Sequence, residues 1–89
     1  MFTTSLQGLV YSLTYSREAS KTLRKLPRDT SGRIVRKVNA YAQDPASLAN
    51  NVKRLTGHPG YRLRVGDWRI LFVIEEGRQN LHVTWIGPR

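Results

Sequence analysis

The sequence of 89 residues contains no cysteine, which excludes a disulfide framework and a cysteine-ligated zinc site and makes a reducing cytoplasm the expected compartment. No apolar run approaches the roughly 20 residues of a membrane-spanning helix. The opening MFTTSLQGLVYSL also lacks the basic region and apolar block of a secretory signal, so no membrane partner is expected. Acids are scarce as well. Six Asp and Glu are scattered along the chain, too few for a carboxylate cage or an acid/base pair, and the two histidines, His58 and His82, have no metal-ligand spacing. Neither a metal nor a cofactor is expected. Internal repeats, low-complexity tracts and linkers are absent too, so residues 11–89 read as one domain with one modest core and residues 1–10 as a loose N-terminal tail.

What the chain has in excess is positive charge. Fifteen Lys and Arg give a formal net charge of +9, and eleven of the fifteen are arginine. Such an excess repels itself in a compact state and attracts polyanions. The arginine bias favours bidentate recognition of phosphate or carboxylate.

Hydrophobic periodicity orders the chain into an α+β domain. In YSLTY (11–15), Tyr11, Leu13 and Tyr15 alternate with Ser12 and Thr14, the pattern of a half-buried strand. Ser16 then offers a helix N-cap, and Ala19, Leu23 and Leu26 form an apolar stripe up to Pro27. Asp29 or Thr30 can cap a second helix, in which Ile34, Val38, Tyr41 and Ala42 share a face until Asp44-Pro45 ends it. Residues 46–60 read as a polar connection with a Gly-His-Pro-Gly turn. Three antiparallel strands follow, YRLRV (61–65), WRILFVIE (68–75) and NLHVTWI (80–86), giving the order β-α-α-β-β-β with the helical hairpin on one sheet face.

The turn Gly66-Asp67 suits a two-residue type II′ hairpin with positive φ at the glycine. It sets Val65 opposite Trp68, Arg64 opposite Arg69, Leu63 opposite Ile70 and Arg62 opposite Leu71. Arg64 and Arg69 become direct neighbours, with Arg62 on the same face. Like charges placed opposite each other cost about 0.2–1 kcal/mol, so an anion should visit them. Phosphate matches the guanidinium fork. Without metal or paired acids, such a face can still act by charge, holding an RNA 2′-hydroxyl in line with its own phosphate and stabilising the extra charge of the phosphorane. The aromatic side chains Tyr61, Trp68 and Trp85 all fall on the core parity of their strands.

The block L-x-G-x-x-G-Y-R-L-R-V-G-D-W-R-I-L-F (55–72), with the later I-G-x-R, resembles the RelE/ParE superfamily of bacterial toxin–antitoxin toxins, and the resemblance covers about residues 11–89. It implies a small sheet carrying two N-terminal helices and, for RelE-like members, a ribosome-dependent endoribonuclease that cuts mRNA in the ribosomal A site without metal. The matching site positions are Arg62, Arg64, Arg69 and Arg89, with Lys53 and Arg54 joining Arg62, Arg64 and Arg69 as RNA contacts. Implied partners are a small cognate antitoxin, in a hetero-oligomer, and the ribosome with its mRNA.

The sequence departs from the best-known member in carrying Arg62 and Arg64 where that member has lysines. Arginine hardly deprotonates at neutral pH, which leaves no ordinary general base among these residues. Histidine is the side chain suited to proton transfer near neutral pH, which makes His82 the candidate for that role, with His58 as a second. Two other readings remain open at this level. A ParE-like toxin would poison DNA gyrase and cut no RNA, and a non-catalytic nucleic-acid-binding module would bind in a steeply salt-dependent way and cut nothing.

Overall fold

The computed structural model describes residues 10–88. The expected tail, apart from Val10, and the candidate Arg89 lie outside the described residues. The chain runs β1 (Ser12–Tyr15), α1 (Arg17–Lys25), α2 (Arg28–Gln43), a 3-10 segment (Pro45–Asn51), β2 (Val52–Arg54), β3 (Tyr61–Val65), β4 (Trp68–Glu75) and β5 (Asn80–Pro88). The α+β class and the packing of two helices on one sheet face are as expected. β2 is an addition, inside what reads as a polar connection. At three residues it is too short to display a period of two.

The strands form one sheet in the order β1-β5-β4-β3-β2, with β1 parallel to β5 and the other pairs antiparallel. Ser16 caps α1, its Oγ accepting the Ala19 N–H at 3.0 Å. The same hydroxyl donates to the Thr84 carbonyl at 3.0 Å, which ties the start of the helix to β5. The start of α2 differs from expectation. Pro27 is its N-cap residue and no side chain caps it, while Asp29 lies in its first turn. Proline presets φ for helix entry, so α2 begins one residue after it, ahead of either candidate cap.

The helices bury Ala19, Ile34, Val38 and Ala42 against Leu63, Val65, Ile70, Phe72, Leu81, Val83 and Ile86 of the sheet. Phe72 sits between two tyrosines, with ring centroids 5.3 Å from Tyr41 and 5.4 Å from Tyr61. Among the described residues no helix is long and apolar enough to cross a membrane.

One irregularity in β5 changes which side chains face out. Leu71 pairs with Trp85 but Phe72 pairs with Val83, so Thr84 is an extra residue, a β-bulge. Side chains alternate with a period of two, and one inserted residue therefore reverses the parity of all that follows. Leu81 and Val83 point to the core as expected, but Ile86 takes the next core place and Trp85, expected there, turns to the other face, 40% exposed. The Ser16–Thr84 bond and the Ser16 N–H bond to the Val83 carbonyl at 2.8 Å hold this irregularity in place.

Candidate nucleic-acid interface

The arginine face is built by the hairpin of β3 and β4. Its register is the expected one, with Val65↔Trp68, Arg64↔Arg69, Leu63↔Ile70 and Arg62↔Leu71. Gly66 closes the turn at φ 59 while Asp67 keeps a negative φ, as a type II′ turn requires. A Cβ at Gly66 would come within 2.3 Å of Arg33 Nη2, so α2 packs a guanidinium directly on the turn. Leu63, Val65, Ile70 and Phe72 are buried beneath the helices, and their alternates Arg62, Arg64 and Arg69 project from the side of the sheet that the helices leave open.

β2 extends this face. Lys53 pairs with Arg62, and Arg62, Arg64 and Lys53 line a concavity of ≈ 210 Å³ together with Asn50 and Asn51. Beyond Leu71 the open face becomes apolar, with a groove of ≈ 460 Å³ between Leu71, Val73 and the loop carrying Leu55, His58 and Pro59. On the far side of Arg69 lies its β5 partner, Gly87. The indole of Trp85 covers that glycine so closely that a Cβ there would lie 2.1 Å from Trp85 Cη2. Glycine is required at this position because the ring occupies the space of a side chain.

No family model matches the sequence, and no curated protein matches it. Solved structures do. The archaeal RelE of a RelE–RelB complex from Pyrococcus horikoshii superposes with a TM-score of 0.76 at 21% identity, covering 91% of this chain and 97% of that one. A chain of the RelBE2 toxin–antitoxin complex of Mycobacterium tuberculosis gives 0.75 at 19% identity, covering 91% and 93%. One from the intact E. coli RelBE complex gives 0.72 at 23%, covering 89% and 96%. The fold is that of the RelE toxins.

Within this RelE fold the candidate residues separate into a cluster and outliers. Lys53, Arg62, Arg64 and Arg69 share the open face of neighbouring strands. Arg54 pairs with Tyr61 and so belongs to the opposite, helix-side parity, away from the cluster. His82 is on the open face but pairs with Val73, whereas Arg69 pairs with Gly87. Val73 and Arg69 are four positions apart on β4, about 13 Å at the strand rise per residue. The imidazole is instead part of a polar chain at the other end of the sheet. Its Nδ1 is 2.7 Å from Thr14 Oγ1, Thr14 accepts from Asn80 Nδ2 at 2.9 Å, and Asn80 donates to Glu75 at 2.8 Å. His58 sits on the exposed loop beside the apolar groove.

Asn50, Asn51 and Trp85 reach the basic face without having been expected there. The asparagines carry no periodic signal, since the 3-10 segment that holds them has no strand or α-helical repeat. Trp85 was misplaced because a bulge leaves no mark in the hydrophobic alternation.

Proposed function

We propose that this protein is the toxin of a RelE-type toxin–antitoxin pair and acts as an endoribonuclease on mRNA in the ribosome. The reading is carried by one observation, the cross-strand pairing of Arg64 with Arg69, with Arg62 and Lys53 alongside, on the open sheet face of a RelE fold. A cluster that repels itself is a site prepared for a polyanion.

The chemistry follows from what the residues can supply. Guanidiniums grip two phosphate oxygens at once, and their charge is worth most where negative charge grows, on the phosphorane formed as the 2′-oxygen attacks. The O2′–P bond forms as P–O5′ breaks, leaving a 2′,3′-cyclic phosphate and a 5′-hydroxyl. The 2′ proton passes to solvent and the leaving oxygen takes one from water. Arg69, flanked by Arg64 and Gly87, is assigned to the scissile phosphate, while Arg62, Arg64 and Lys53 hold the adjoining backbone. Arg89 joins this assignment on its place in Gly87-Pro88-Arg89. A small antitoxin supplying acidic side chains is the expected partner. The support is the excess of positive charge and the presence of RelB in the complexes with like folds.

Primer extension on a defined mRNA, with and without programmed ribosomes, tests the reading. Discrete cuts that need ribosomes and vanish in Arg69→Glu are the expected result. Intact mRNA in both reactions, from a protein that still arrests cells, refutes it and directs attention to gyrase.

A further inference from the structure

Trp85 is the exposed large hydrophobic side chain among the described residues, at 40%, and the fold goes to some length to expose it. A bulge at Thr84 turns it out of the core, Ser16 fixes the bulge from α1, and Gly87 leaves the ring a bare strip of backbone to lie on. The ring therefore has a supported underside. Its neighbours on β4 are Leu71, its own cross-strand partner, and Arg69, the partner of Gly87. A flat apolar surface and a phosphate-binding guanidinium thus stand on adjacent strands, about 4.8 Å apart.

A nucleotide presents the complementary pair, a planar base and a phosphate, within that same span. An apolar side chain of a protein partner would match the indole but not the arginines beside it. We propose that Trp85 is the stacking platform for one unpaired base of single-stranded RNA whose neighbouring phosphate lies against Arg69 and Arg64. The inference rests on the RNA reading above and deepens it by adding a base contact to a face otherwise made of backbone contacts. Stacking tolerates any base, so Trp85 adds affinity and register, while charge alone fixes neither the spacing nor the direction of the strand.

The test uses a fluorescently labelled 2′-O-methyl oligoribonucleotide, which cannot be cleaved, and the same strand with abasic residues, each titrated with the purified chain. Trp85→Ala should weaken binding of the intact strand by roughly 5- to 150-fold, the usual worth of one stacked base. The abasic strand should bind wild type correspondingly weakly and be indifferent to Trp85→Ala. Trp85→Phe, which keeps a ring on the same backbone, should restore most of the affinity and guards against a loss caused by misfolding. Arg69→Met should weaken both strands alike.

Equal binding by wild type and Trp85→Ala overturns the proposal, and so does an equal loss on intact and abasic strands. A Trp85→Ala protein that binds RNA normally but loses its antitoxin also overturns it and gives the indole to the protein partner. The two readings fail separately. Ribosome-dependent cleavage without a base effect removes the platform alone, and a base effect in a protein that cuts no mRNA removes the nuclease. Wild type that binds neither strand removes the platform and leaves the nuclease to the cleavage test.

Discussion

The Arg64–Arg69 pair predicts a trade between stability and function that can be measured without knowing the substrate. Val65 and Trp68 flank the two-residue turn, and ladder alternation makes the next pair, Arg64 and Arg69, the non-hydrogen-bonded kind, whose Cα atoms are about 4.5 Å apart and whose side chains are close. Two unit charges held about 6 Å apart in water repel by about 0.7 kcal/mol, within the range of about 0.2–1 kcal/mol for opposed like charges in sheets. Arg64→Met and Arg69→Met keep the aliphatic stems that cover the sheet and remove the charge. Each should raise stability by about 0.5 kcal/mol, or about 2–4 °C in Tm for a domain of this size. The double variant should gain less than the sum, because relieving the pair once exhausts that repulsion. At about 1 M salt the Debye length is about 3 Å, and about a seventh of the repulsion should survive. Chemical denaturation of the four proteins at low and high salt gives the coupling directly. Additive effects, or gains that ignore salt, would refute the account of a strained cationic pair.

Three further outcomes follow from the same structure. Gly66→Ala should destabilise by about 1–2 kcal/mol, because an L side chain is strained at φ 59 and its Cβ meets Arg33; an unchanged denaturation midpoint would show that the turn relaxes freely. The buried Tyr15 hydroxyl has no hydrogen-bond partner among the described residues, so Tyr15→Phe should stabilise by about 1 kcal/mol, and a lower urea midpoint would contradict this. Burial raises the Tyr15 pKa above its ordinary 10.0. The unfolded chain then ionises first, and the contribution of this group, intact below pH 10.0, is lost as pH climbs through the raised folded value; Tyr15→Phe should flatten that alkaline slope. His82→Gln should cut mRNA within about threefold of wild type, since its imidazole stands away from the arginines, and a loss of about 100-fold or more would place it in proton transfer.

The hairpin was legible residue by residue because every signal that sets a register is local there. A glycine-containing turn of fixed length and strict alternation on both sides leave one pairing, and the arginine neighbours follow from it. The two helices were legible from their stripes and from Pro27 and Pro45. Features made by distant partners were not. β2 exists because β3 offers it an edge, with Val52 pairing with Leu63, and nothing in VKR alone announces a strand. The bulge depends on Ser16 reaching Thr84 across 68 residues, a contact that no local pattern encodes. His82 illustrates a subtler gap. Parity put it on the correct face, but its distance from the arginines depends on how β5 is set against β4, which parity does not determine.

β5 carries two reading frames in one strand. From Asn80 to Val83 its odd-numbered side chains belong to the core, and from Trp85 onward its even-numbered ones do. The frame shift sits opposite Leu71 and Phe72 of β4, two residues from Arg69, so one residue left out of the ladder exchanges an isoleucine and a tryptophan between interior and surface without altering either. Pairing Thr84 into a regular ladder, without the bulge, would return Trp85 to the interior and Ile86 to the arginine face. The strand would keep its composition and lose its outward aromatic, and for that reason the register of this segment constrains the protein as tightly as any of its side chains.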